Sequence, residues 1–195
     1  MEGWKIGRLS VFPPSNLPFF QPSILPTYQT EGEMIMTLDI DIILSKMQAT
    51  RDELLSFVEG LDAASLTWHP PEGGWSMRDN LAHLVDAEHA HRRFVQAVLE
   101  DRSVHLEGFD LDRWNQEHVA RHAGQPVGEI LDALRAEREE TLILIVDIPP
   151  HAWDRRGDHP ALGEVSVQQV IRTIGVHERM HLKEVRKLLE AQKDE

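Results

Sequence analysis

The sequence predicts an all-α protein, a four-helix bundle, and three observations carry the prediction. Apolar residues recur at steps of three and four through about four long segments. Those segments are separated by stretches rich in proline and glycine. No alternation of apolar and polar residues runs longer than a few positions, so no strand is expected.

Residues 36–195 are expected to form the bundle, with residues 1–35 as a proline-rich N-terminal extension. Five of the 11 prolines (Pro13, Pro14, Pro18, Pro22, Pro26) fall in the extension, interleaved with Phe12, Phe19, Phe20 and Tyr28. Proline at that density opposes helix and sheet ladders and favours extended chain. The extension reads either as an appendage ahead of a natural start at Met34 or Met36, or as an arm packing its aromatics on the bundle or a partner subunit.

The first helix is expected over about Leu38 to Leu61, with Thr37 as N-cap and a stripe of Ile42, Ile43, Met47, Leu54, Leu55, Val58 and Leu61. The run from Thr67 to Gly74 breaks it. A second helix, about Ser76 to Glu100, opens on Ser76 followed three residues later by Asp79, a capping-box arrangement. An irregular stretch from Asp101 to Gln125 contains a short helix near Asp112 to His122. The third long helix, about Val127 to Val146, carries Ile130, Leu131, Leu134, Leu142 and Ile145 and stops before Pro149-Pro150. The fourth runs from about Ser166 to Ala191.

Composition excludes several classes. A net charge of −13 argues against nucleic acid as a partner, because phosphate neutralisation needs a basic face. No run approaches a membrane span, so no membrane partner is expected. The chain has no cysteine, which removes disulfides, thiolate ligands and a cysteine nucleophile together and suits a cytoplasmic location. Its 11 histidines are the feature that needs explaining.

On the fourth helix the inward stripe reads Val167, Val170, Ile174, His177, His181, Val185, Leu188. Burying an imidazole without a partner is costly, and the i, i+4 spacing lets two rings share one ion. The bland alternative is a pair of core histidines satisfied by carboxylates or carbonyls. On the second helix His83 lies near Ala87, Ala90 and Phe94, where small side chains leave room for an ion and an exogenous ligand. His89 falls on the polar side with Arg78 and Arg93, His91 is intermediate, and Asp86 sits close to one turn after His83. His177-Glu178-Arg179-Met180-His181 also matches the zinc-peptidase pattern H-E-x-x-H. Too few residues follow for a distant third ligand, however, and Glu184 and Lys187 stand where the extended form has glycine and histidine.

The stretch from Gly74-Trp75-Ser76 through Asn80-Leu81-Ala82-His83-Leu84-Val85-Asp86 resembles the second-helix signature of the DinB-like superfamily. His159-Pro160-Ala161-Leu162-Gly163-Glu164-Val165, followed by His177-x-x-x-His181-Leu182, resembles that family's lead into its last helix. Together the matches span about Met36 to Leu189. The resemblance implies a four-helix bundle with a long crossover between the second and third helices, frequently a homodimer. It also implies a metal site of His83, His177 and His181 for one divalent ion, nickel or zinc first, manganese or iron otherwise. The branch nearest in pattern contains bacillithiol S-transferase-like proteins. The doubled histidines of that branch are not repeated here: Ala82 precedes His83, and Arg179-Met180 precedes His181.

Three imidazoles leave an ion with open positions, as catalytic sites do. The expected function is a metal-dependent transferase joining a low-molecular-weight thiol cosubstrate to an electrophilic small molecule. A metal-dependent hydrolase and a non-catalytic, stress-related metal-binding protein remain as alternatives. The discriminating feature is a deep pocket beside the ion, which an enzyme needs.

Overall fold

The computed structural model describes residues 31–104 and 106–194. The readings placed on residues 1–30, including the aromatics of the extension, lie outside the described residues.

Among the described residues six α-helices and one hairpin follow in order: α1 Glu31–Glu59, α2 Ala63–Thr67, α3 Met77–Leu99, α4 Leu111–Arg121, α5 Val127–Asp147, β1 Arg156–His159, β2 Gly163–Ser166 and α6 Val167–Lys193. The four long helices α1, α3, α5 and α6 form the bundle, in which α3 packs on both α5 and α6, and α1 packs on α6. The long crossover from α3 to α5 carries α4, which lies against α3.

Caps set the local boundaries. The Ser76 side chain accepts from Asp79 N–H while the Asp79 carboxylate accepts from Ser76 N–H, closing the expected capping box. Ser166 and Gln169 do the same at the start of α6. Two boundaries differ from expectation. Helix α1 begins at Glu31, ahead of the expected start near Leu38, so Thr37 lies inside a helix and not at its cap. No proline follows Pro26 in this stretch, and nothing in Glu31–Met36 stops a helix from propagating backwards. The short α2, capped by Asp62 on Ser65 N–H, was not expected.

The prediction of no strand is corrected by the antiparallel hairpin of β1 and β2, which pairs Arg156 with Ser166 and His159 with Gly163. Strands of four residues are too short to show alternation. Gly163, at φ +71°, supplies the left-handed residue that the turn requires. The hairpin is set directly on α3: an ideal Cβ at Gly157 would stand 2.7 Å from a methyl of Val98, so only glycine permits this approach.

The interior holds two apolar clusters. One gathers Leu54, Val58, Leu81, Leu134, Leu182 and Val185. The other gathers Met47, Phe94, Val95, Ile145, Trp153 and Ile174. In sequence, the gap between them holds on every long helix a buried charged residue that joins one network, Arg51, Glu88, Arg138 and Glu178; α3 buries a second charge there, Arg92, which pairs with Glu137 instead. Arg51 donates to Glu88 (2.6 Å), and also to Glu178 and the Leu134 carbonyl. Arg138 donates to Glu88 (2.8 Å), Glu178 (2.7 Å) and the Met47 carbonyl (2.7 Å). Two arginines and two glutamates cancel, and each carboxylate receives both guanidinium groups. Burial alone would raise the Glu88 pKa, but Arg138 and Arg51 outweigh it and hold the carboxyl below its usual range.

This layer rewrites the face of α6. The fully buried line runs Val167, Val170, Ile174, Glu178, Leu182, Val185, and His177 and His181 sit half-buried beside it. Among the described residues no helix is long and apolar enough to cross a membrane.

Candidate metal centre

The two histidines of α6 flank the buried line and meet His83, which is 5% exposed on α3. His83, His177 and His181 each bring one ring nitrogen within 4.8 Å of the others. His177 Nε2 lies 3.2 Å from His83 Nε2 and 3.0 Å from His181 Nε2.

The chemistry of these donors suits a cation. His181 Nδ1 is 2.7 Å from Asn80 Oδ1, and Asn80 Nδ2 donates to the Ser76 carbonyl at 2.8 Å. A carbonyl only accepts, so the amide of Asn80 is fixed with its oxygen toward His181. His181 therefore carries its proton on Nδ1 and presents a lone pair at Nε2. The two short N···N contacts on His177 Nε2 can be satisfied by one proton at most, whereas one cation among them takes all three lone pairs. His83 Nδ1 is buried without a partner among the described residues, so the polar contacts of that ring are all on its Nε2 side.

Burial sets the electrostatics. It pushes His83 down to about 3, with the neighbouring His181 and His177 adding to the effect. Burial and His177 take His181 down to about 4, and burial also lowers His177. All three rings are neutral at physiological pH, as ligands must be.

Trp75 walls one side, with its ring 4.9 Å from that of His83 and 6.3 Å from that of His181. Gly73 (φ +92°) and Gly74 (φ +125°) place it by turning the chain just before the capping box. On the other side a cleft of about 770 Å³ opens, and both His83 and His177 line it. Ala87, Ala90 and Phe94 line it too, where the helical wheel puts them.

Other candidates sort differently. Glu178 of the H-E-x-x-H pattern is 1% exposed and held by Arg51 and Arg138 in the bundle interior, so it is not available as a base. Asp86 lines the cleft but faces His122 Nε2 at 3.1 Å instead of supporting the triad. His89 is half-exposed and pairs with Glu137. His91, by contrast, is half-buried in the cleft wall: its Nδ1 lies 3.1 Å from Nε2 of His159 on β1, and its ring centroid is 6.2 Å from that of His177. Nothing in the sequence pairs two histidines 68 residues apart. The charge layer did leave a signal, because Arg51 and Arg138 continue the apolar stripes of α1 and α5 at steps of three and four.

The sequence profile of the DinB superfamily matches residues 46–185. Among curated sequences, the chain is 23% identical over 154 residues to OB0413 of Oceanobacillus iheyensis, named a candidate metal-dependent hydrolase, covering 79% of this chain and 87% of that one. It is 24% identical over 158 residues to YuaE of Bacillus subtilis, covering 75% of this chain and 97% of the other. Among solved structures, YfiT of Bacillus subtilis, described as a probable metal-dependent hydrolase with an unusual four-helix bundle topology, superposes with a TM-score of 0.67 at 15% identity, covering 87% and 93% of the two chains. The four-helix bundle protein TT2238 gives a TM-score of 0.57 at 22% identity, covering 76% and 98%.

Proposed function

The chain belongs to the DinB superfamily, and on that premise we propose that it is a metal-dependent enzyme in which His83, His177 and His181 hold one divalent ion and a thiol cosubstrate is transferred to an electrophile. The observation that carries the reading is an all-imidazole triad at the wall of a large cleft, with no carboxylate among its ligands. Neutral imidazoles suit nickel and zinc first, and manganese or iron less well. A bound divalent ion lowers the pKa of a coordinated thiol or water, so that the nucleophile exists at neutral pH.

The residues of the chain supply the rest. Asn80 fixes the His181 tautomer, Trp75 covers one side of the triad, and Ala87 and Ala90 leave the other side open to the cleft. The sulfur must come from a cosubstrate, since the chain has no cysteine. A cleft of about 770 Å³ has room for a thiol and an electrophile together. Thiolate attack needs no side-chain base once the thiol is ionised, and Glu178, the one acid next to a ligand in sequence, is turned away.

The second reading is hydrolysis, favoured by the names of OB0413 and YfiT. A metal-replete screen of several thiols against a generic electrophile separates the two. Turnover that requires added thiol supports transfer, and turnover without thiol supports hydrolysis.

A further inference from the structure

The His91–His159 pair lies on the same cleft as the triad but takes no part in it. Its hydrogen bonds fix both tautomers. The Ala161 N–H donates to His159 Nδ1 at 3.1 Å, so that nitrogen carries a lone pair and the proton of the neutral ring sits on Nε2. His159 Nε2–H then donates to His91 Nδ1 at 3.1 Å, which leaves the proton of His91 on its own Nε2. That last N–H has no partner among the described residues, and His91 is half-buried in the lining of the cleft. A backbone amide thus orients a donor through two rings, one of them 6.2 Å from the His177 ring.

Part of the cleft lining is apolar and solvent-exposed. Leu106, Leu111 and Leu162 are each more than 40% exposed, and all three line it together with Phe94 and Trp114. Exposed leucines gathered on one concavity suit an apolar ligand body.

We propose that His91 Nε2–H receives the carbonyl or carboxylate oxygen of an apolar-bodied substrate whose chain lies along Leu106, Leu111 and Leu162. This deepens the reading of the triad as the reactive centre and rests on it: the donor holds the substrate's polar end beside the ion while the leucines take its body. His91 is then a substrate-binding residue, and His159 is a positioning residue that acts through it.

Two measurements on the full chain test this, with octanoate as the probe and acetate as its tail-less control. The first is ¹⁵N NMR of the histidine rings in the wild-type protein. It should find the proton on Nε2 of both His91 and His159, and octanoate should shift His91 Nε2. The second is calorimetric titration of octanoate into wild type, His91→Phe and His91→Gln, each zinc-loaded and chelator-treated. A hydrogen bond to a charged group is worth about 10-fold or more in affinity. The Phe variant should therefore bind octanoate about 10-fold more weakly or worse, while Gln, which keeps an N–H near the Nε2 position, should stay within about threefold of wild type. Acetate should bind far more weakly than octanoate in every case. Protonation of His91 on Nδ1, unchanged octanoate affinity in His91→Phe, or no octanoate binding to wild type would each overturn the proposal. Zinc content of the same samples separates the two readings. Wild type that fails to hold zinc while octanoate behaves as expected overturns the triad reading alone, and zinc retained with no dependence on His91 overturns this one alone.

Discussion

Asn80 and His181, 101 positions apart, are joined by a 2.7 Å hydrogen bond that decides which nitrogen of His181 faces its histidine neighbours. The Asn80 amide is itself held by the Ser76 carbonyl, so the cap of α3 reaches the triad through two side chains. Partners of this kind, behind a ligand, are typically worth 10–100-fold in metal affinity. Asn80→Ala should therefore retain the fold and bind zinc about 10–100-fold more weakly, read by competition with a chelating dye. Unchanged affinity would mean that the tautomer is set by something else.

The triad itself predicts metal content. His83→Ala, His177→Ala and His181→Ala should each carry much less than one ion per chain by elemental analysis, while His89→Ala, at a half-exposed position outside the triad, should match wild type. Full retention in all three triad variants would remove the site.

Much of this was legible in the sequence because its signals are local. Ser76 with Asp79 is a cap readable in four residues, and His177 with His181 is a pair readable in five. His83 came from the company it keeps on α3. The charge layer was missed for a different reason: each of Arg51, Glu88, Arg138 and Glu178 looks like an interruption of an apolar stripe until all four helices are seen to be interrupted at one level. A buried polar group needs a partner, and a buried charge such as any of those four needs one more than a neutral imidazole does. The hairpin and the His91–His159 contact were hidden because they depend on tertiary approach, at Gly157 against Val98 above all.

The charge layer predicts a specific asymmetry. Glu178→Ala leaves Arg51 and Arg138 sharing only Glu88 and should cost about 3–5 kcal/mol, the usual result of removing one partner from a buried ion pair. Glu178→Gln keeps an acceptor and the volume and should cost less. Denaturant unfolding of both variants measures the difference. If Glu178 instead served as a base, Gln would abolish turnover while leaving stability intact.

Acid should destabilise the metal-free protein. His83 and His91 are pushed down to about 3 and His181 to about 4, mainly by burial. Below the ordinary histidine value of about 6.5, the unfolded chain therefore binds protons that the folded chain refuses. Stability from these groups is complete above about pH 6.5 and falls as pH drops toward 4, by up to about 1.4 kcal/mol per pH unit for each histidine. Denaturation midpoints of chelated protein at pH 7.5, 6.0 and 5.0 should fall in that order, and a flat profile would contradict neutral burial of the rings.

The chemistry itself is tested by its dependence on thiol. If a thiolate is the nucleophile, turnover requires metal and added thiol together, and His177→Ala abolishes it while keeping a helical spectrum. The rate should rise with pH to a plateau whose midpoint lies below the free thiol value of about 8.5, because the ion favours the ionised sulfur. Burial keeps the three triad histidines neutral well below this range, so their own protonation does not produce the rise. Water as nucleophile predicts a different outcome: turnover of an ester without thiol, unchanged when thiol is added. A thiol-independent rate would select hydrolysis. Absence of any rate with several thiols and esters, at one bound ion per chain, would leave a triad that binds metal without turning over substrate.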